Sequence, residues 1–159
     1  MDESITSPVL LIGIGNEQRG DDAIGLLAAR RIQAMNLPGV SVVECRGEAG
    51  DLLERWKNAH TVFLIDAVRS GKPLGTLHRW DVSKEPIPAD IFAVSSHSFG
   101  VAQAIELSRV LHQIPPTLIV YGIEGSQFDR QAGVSPELTV SFEDILHRIY
   151  SDLIRYSAK

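Results

Sequence analysis

Continuous apolar runs alternate along the chain with segments whose apolar residues recur every three or four positions. A short continuous run is typical of a strand buried on both faces, as in a parallel sheet. Helical spacing indicates a helix with one face on the core. The predicted strands are residues 9–15, 40–43, 61–67, 117–123 and, as an edge strand, 76–82.

Helices are predicted between and after these strands, and the last one has the clearest start. Ser135 suits the N-cap, Pro136 the first helical position and Glu137 the positive end of the helix dipole. The predicted helices cover about 22–36, 51–58, 97–112 and 136–156. This alternation predicts one α/β domain over residues 1–159, a twisted, mostly parallel sheet of about five strands with helices on both faces.

Composition narrows the classes of function. The chain has 159 residues, of which 44% are hydrophobic and 22% charged, so it has enough apolar side chains for a core and is not a mostly disordered chain. A net charge of −5 without a basic cluster argues against a nucleic-acid platform. The single cysteine, Cys45, excludes an intramolecular disulfide framework. The acidic start is unlike a signal peptide, and residues 9–14 are too few to span a bilayer, so we expect a cytoplasmic domain.

The first strand leads into a glycine-rich segment with two carboxylates. Gly13 and Gly15 resemble the start of a dinucleotide fingerprint, but Gln18 stands where the third glycine is needed. Asp21 and Asp22 would also repel a pyrophosphate at the helix N-terminus. The segment therefore argues against nucleotide binding.

Other candidate residues also stand near predicted element ends, where parallel sheets place their chemistry. One of Asp21 and Asp22 is enough to cap the next helix, which leaves the other free for a cleft. Asp66 ends a buried strand, where a carboxylate must be paired, hydrogen-bonded or metal-bound; the alternative is a structural role in the turn before Gly71. His97 stands at a predicted helix start, whose dipole favours the neutral imidazole that metals bind.

Together, Asp22, Asp66 and His97 would form a divalent-metal site with open positions. Nucleophilic catalysis has less support. A serine nucleophile is weakly indicated, because three serines adjoin His97 without a G-x-S-x-G elbow, and Cys45 is more typical of a small buried cysteine than of a nucleophile. The remaining histidines lack such a setting, and they are His60, His78, His112 and His147.

Four motifs in the same order resemble those of the nickel–iron hydrogenase maturation proteases, over roughly residues 8–155. They are Gly15-Asn16 followed by Gly20-Asp21-Asp22-Ala23-Ile24-Gly25, Asp66-Ala67 after an apolar strand, Ser96-His97 followed by Gly100, and Gly122-Ile123 followed by Gly133-Val134-Ser135-Pro136-Glu137. Each motif is moderately specific, and the four together are specific.

The resemblance implies a cytoplasmic endopeptidase that removes the C-terminal extension of a hydrogenase large-subunit precursor after nickel insertion. The family's metal-binding and catalytic residues correspond to Asp22, Asp66 and His97, with Asp22 where some members have glutamate. No tightly bound cofactor is expected, because the substrate brings the nickel; in a crystal, cadmium, zinc or nickel can fill such a site. We expect a monomer that binds neither nucleic acid nor membrane.

One segment departs from the family, and two other functions stay open. The stretch Glu44–Gly50 replaces an Asp-Gly-Gly-Thr-like sequence, and the general base is left undecided, with Asp21 and Glu44 as weak candidates.

A peptidyl-tRNA hydrolase-like esterase shares the G-x-G-N strand end, but it needs a histidine soon after Asn16 and none occurs before His60. The other alternative is a non-catalytic metal-binding module.

Overall fold

The computed structural model describes residues 9–88, 91, 100–130 and 132–157. Five strands form one sheet: β1 (Val9–Ile14), β2 (Val40–Cys45), β3 (Thr61–Val68), β4 (Leu77–Asp81) and β5 (Thr117–Glu124). Their spatial order is β2-β1-β3-β5-β4. All neighbouring pairs are parallel except β4 with β5, which is antiparallel at the edge. The mostly parallel sheet and its edge strand are as the apolar runs predicted.

In the described ranges, four α-helices accompany the sheet: α1 (Ile24–Ala34), α2 (Ala49–Trp56), α3 (Val101–Val110) and α4 (Pro136–Ser157). A 3₁₀ turn, Gly20–Ala23, leads into α1, so this helix starts two residues later than predicted. The helix predicted from His97 begins at Val101, after a non-helical Gly100. None of the helices in the described ranges is both long and apolar enough to cross a membrane.

Two hydrophobic cores lie on opposite faces of the sheet. One is formed with α1 and α4 and includes Phe63 and Ile65 of β3, while the other is formed with α2 and α3 and includes Val62 and Leu64. Every residue of β3 is buried, because this central strand is covered on both faces. The expectation of helices on both faces is therefore confirmed.

The start of α1 lies directly on the carboxyl ends of β1 and β3. A Cβ atom on Gly25 would lie 2.4 Å from the carbonyl oxygens of both Ile14 and Ile65. Both contacts are backbone atoms that no side-chain rotation can move, so glycine is required at this close approach. The contact places the preceding 3₁₀ turn, with Asp22, against β3.

Asp21 ties this 3₁₀ turn to the segment before α4. Its buried carboxylate accepts backbone N–H bonds from Ser126 at 2.9 Å, Gln127 at 3.1 Å and Ser135 at 2.7 Å. The Ser135 hydroxyl donates a fourth bond at 2.7 Å. Burial raises the pKa of Asp21, but the four bonds together outweigh burial and the pKa is lowered.

We expect the Gly25→Ala variant to be less stable by roughly 2–3 kcal/mol, the effect of forcing a methyl group against fixed backbone. Gly50→Ala is the matched control, because a Cβ there has no atom within 4 Å. Gly50 lies in α2, so its variant should be unchanged or up to about 1 kcal/mol more stable. Urea unfolding of both variants measures the difference, and equal stability would contradict the close packing.

Asp21→Asn should lower the free energy of unfolding at pH 7 by at least about 2 kcal/mol, because the charged acceptor of four bonds is lost. A lowered folded-state pKa contributes stability that is present above the ordinary value of 3.8 and is lost as the pH falls. The difference in free energy of unfolding between wild type and Asp21→Asn should therefore become smaller as the pH falls below that value. Asp144→Asn, the same change at an exposed position of α4, serves as the control. The measurement is urea unfolding at pH 7 and again in acid.

Candidate functional site

Asp66 lies two residues before the end of β3, with its side chain almost withdrawn from solvent at 7% exposure. Its Oδ1 accepts a 2.8 Å bond from the backbone N–H of Ala67. Burial raises the pKa of Asp66 well above its ordinary value, the negative charge of Asp22 raises it further, and the bond from Ala67 opposes both. The ionised form of this carboxylate is thus poorly stabilised by the described residues around it.

Asp22 lies half-buried in the 3₁₀ turn that packs against β3. Burial raises the pKa of Asp22, while the backbone N–H of Asn16 and the charge of Arg19 act in the opposite direction. Neither Asp22 nor Asp21 caps α1, whose first turn has no side-chain cap. The structure therefore brings Asp22 and Asp66 together, close enough for the charge of one to disfavour ionisation of the other.

His97, the third predicted site residue, lies outside the described residues. The nearby start of α3 is at the same edge of the sheet, since Val101 is 3.8 Å from the position that a Cβ on Gly47, after β2, would take. Within the described ranges, no group of three or more His, Cys, Asp or Glu side chains is arranged to hold a metal ion. What those ranges show is the carboxylate pair.

The structural role considered for Asp66 belongs instead to Glu124, at the end of β5. Its Oε2 accepts backbone N–H bonds from Ser70 at 2.6 Å and Gly71 at 3.2 Å. Its Oε1 accepts the Ser70 hydroxyl at 2.7 Å and lies 2.9 Å from Nε2 of His78. Sequence analysis missed this cluster, because Glu124 sits at the end of an apolar run and its partners are 46–54 residues away.

A cleft of about 290 Å³ opens at the carboxyl ends of β1 and β2. Asn16 and Arg46 are among the residues that line it. One wall is fixed by Arg30, which binds both oxygens of Glu44 at 2.8 and 3.0 Å and Glu17 at 3.0 Å. Since the backbone of Asn16 also interacts with Asp22, the cleft adjoins the carboxylate pair.

Three other groups near the site, Asp21, Glu44 and Cys45, are poorly suited to proton transfer or nucleophilic attack. Hydrogen bonding to Arg30 lowers the pKa of Glu44, and the four bonds described above lower that of Asp21, so both are weakened as bases. Burial raises the pKa of the Cys45 thiol to about 11, which disfavours the reactive thiolate. The raised thiol pKa weighs against a nucleophilic Cys45, the alternative that the sequence supported less.

Arg19 is a residue near the site that sequence analysis did not single out. Its positive charge acts on Asp22, three positions along the chain. Its Nε atom is buried without a hydrogen-bond partner among the described residues. The only sequence signal is its place three residues before Asp22, and a lone arginine in a loop does not indicate a role.

Comparison with known proteins gives the family. The profile of the HycI hydrogenase maturation protease family matches residues 27–152. The hydrogenase expression/formation protein HupD of Thiocapsa roseopersicina is 25% identical over 127 residues, which are 79% of this chain and 58% of that protein. The chain thus spans a little over half the length of that relative. A putative hydrogenase maturation protease of Methanocaldococcus jannaschii is 23% identical over 151 residues, 91% of this chain and 96% of that protein.

Solved structures share the fold. The hydrogenase maturating endopeptidase HybD of Escherichia coli superimposes with a TM-score of 0.74 at 20% identity, over 92% of each chain. The nickel–iron hydrogenase maturation protease HycI of Thermococcus kodakarensis gives a TM-score of 0.70 at 23% identity, also over 92% of each chain. With the profile match over most of its length, this chain belongs to the hydrogenase maturation protease family.

Proposed function

We propose that this protein is an endopeptidase that removes the C-terminal extension of a nickel–iron hydrogenase large-subunit precursor after nickel insertion. Family membership supports the reaction class, and it favours this function over a peptidyl-tRNA hydrolase-like esterase or a non-catalytic module. The observation that carries the proposal is the pair of carboxylates, Asp22 and Asp66, at the edge of the sheet where ligands of α/β proteins bind.

The electrostatics of this pair favour a cation between the two side chains. The charges of Asp22 and Asp66 oppose each other, and burial disfavours ionisation of both. A divalent ion would offset the repulsion and the desolvation at once. Two carboxylates leave most coordination positions open, so the pair suits an ion that arrives with other ligands already in place.

His97 is the proposed third ligand. It precedes Gly100 by three residues, and a chain of three residues reaches at most roughly 11 Å from the start of α3. Because α3 starts at the carboxyl edge of the sheet, we propose that the imidazole of His97 joins Asp22 and Asp66. A neutral imidazole would add a nitrogen ligand to two oxygen ligands.

In this proposal the nickel belongs to the substrate and serves to recognise it. Asp22, Asp66 and His97 bind the ion that the precursor already holds, which fixes the precursor tail beside the site. The same ion polarises the scissile carbonyl or a water molecule. The cleft beside Asn16 is where we place the tail. We further propose that the protein acts as a cytoplasmic monomer.

Asp66→Asn should abolish removal of the tail, measured as the mass loss of a nickel-loaded precursor, and Asp22→Asn should reduce it strongly. Neither variant should be less stable than wild type, because each removes a charge that burial disfavours. For Asp66 the folded pKa lies above the ordinary 3.8, so wild type loses stability relative to Asp66→Asn as the pH rises from there through the raised pKa. Thermal unfolding across pH measures this.

Histidine variants separate the site from the scaffold. His97→Ala should also abolish processing, whereas His112→Ala and His147→Ala should leave it unchanged, since both side chains are exposed. Equal loss from His97→Ala and His147→Ala would show that instability, not lost chemistry, explains the effect. Unfolding curves of all three variants accompany the assay.

Metal dependence tests the recognition step. The purified protein should contain little stoichiometric metal, because two carboxylates and an imidazole hold nickel weakly without further ligands. It should cleave nickel-loaded precursor and leave the nickel-free form intact, although both carry the same tail. The measurement is the mass of each precursor after incubation. Efficient cleavage of the nickel-free form would contradict recognition through nickel while leaving the protease function standing.

A further inference from the structure

Another polar cluster lies between the edge strand β4 and the helix α4. Its centre is Asp152, a buried carboxylate of α4. Arg79 of β4 donates to its Oδ2 at 2.6 Å, and Arg155 donates to its Oδ1 at 2.5 Å. The hydroxyl of Tyr121 in β5 also donates to Oδ2.

This cluster borders a cavity of about 340 Å³. Three arginines are among the residues that line the cavity, Arg79, Arg148 and Arg155. Ser151 is a further lining residue. Arg148 forms no ion pair or hydrogen bond with any described residue, including Asp144 one turn earlier on the same helix. Within the part of the chain that the structure describes, it is therefore an unpaired cation that lines a cavity.

The charges around the cavity do not balance. Asp152 supplies one negative charge against three guanidinium groups, which leaves two positive charges unmatched. Burial raises the pKa of Asp152, but its bonds to Arg79, Tyr121 and Arg155 outweigh burial and lower it, so the carboxylate is ionised at neutral pH. This local excess of positive charge has the opposite sign to the net charge of the chain, which is −5.

Asp152 also fixes the geometry of its partners. A guanidinium group has five N–H donors, and one bond to Asp152 uses a single donor of each arginine. Arg79 and Arg155 are thereby held beside the cavity, so a ligand there need not order them itself. Planar guanidinium groups fit carboxylate and phosphate oxygens with paired hydrogen bonds.

We propose that the cavity between β4 and α4 binds a small oxyanion, a phosphate or a polypeptide carboxylate, through Arg148 together with Arg79 and Arg155. The site lies on the α1 and α4 face of the sheet, as Tyr121 and α4 share that core. Asp66 follows Val62 and Leu64 on the opposite face. Oxyanion binding therefore does not depend on the proposed protease function.

The test is a titration of the full chain, followed by amide NMR shifts at constant ionic strength. One arm uses inorganic phosphate and the other a hexaglutamate peptide. We expect saturable shifts confined to β4, to Tyr121 and to the last three turns of α4. Tighter binding of phosphate assigns a free ion, and tighter binding of the peptide assigns a polypeptide carboxylate.

Arg148→Gln should weaken binding about tenfold, the effect of losing a charge-assisted hydrogen bond. The matched control is Arg130→Gln, which removes the same charge from an exposed position away from the cavity and should bind as wild type does. Arg148→Gln should still process the precursor, and Asp66→Asn should still bind the oxyanion, which separates this proposal from the protease function. Absence of saturation with both probes, or equal affinity of Arg148→Gln and wild type, would overturn the proposal.

Discussion

The approach of α1 to the carboxyl ends of β1 and β3 is the contact on which the candidate site depends. Gly25 allows the helix backbone to reach the carbonyl oxygens of Ile14 and Ile65, where any Cβ would collide with both. This contact places the 3₁₀ turn against β3 and brings Asp22 beside Asp66. The chemistry of the site thus follows from a packing requirement between one helix and two strands.

Adjacent residues of that turn have opposite electrostatic environments. Asp21 points to the segment before α4, where four donors stabilise its charge and lower its pKa. Asp22 meets burial, and its charge adds to the raised pKa of Asp66. Asp21 therefore stabilises the fold, whereas the charge of Asp22 is poorly compensated where it lies beside Asp66. The cation of a metal-bearing substrate would compensate it.

The same contrast appears on a larger scale. Glu124 and Asp152 are buried carboxylates that accept bonds from side chains of other segments, and both have a lowered pKa. Two arginines bind Asp152 and a third lines the same cavity, so their positive charge exceeds the negative charge of one carboxylate. Asp66, by contrast, accepts a bond from the backbone N–H of Ala67, which does not offset the effect of burial. The two sides of the sheet therefore differ: on one, burial and the charge of Asp22 disfavour ionisation of Asp66, and on the other, three arginines line the cavity beside one carboxylate. We propose a cation-bearing substrate for the first and an oxyanion for the second.

The sequence by itself determined the architecture, because apolar periodicity reports directly on which faces are covered. The strands, the edge position of β4, the start of α4 at Pro136 and the candidate role of Asp66 all follow from local pattern. Tertiary structure alone decided which of Asp21 and Asp22 is structural, since the donors to Asp21 lie 105–114 residues away. It also decided that Glu124, not Asp66, holds the turn at Gly71, and that three arginines line the cavity beside Asp152. Hydrogen bonds and charge pairs between distant segments depend on which segments the tertiary fold brings together. Apolar periodicity describes only the local structure of each segment, so it does not predict these pairs.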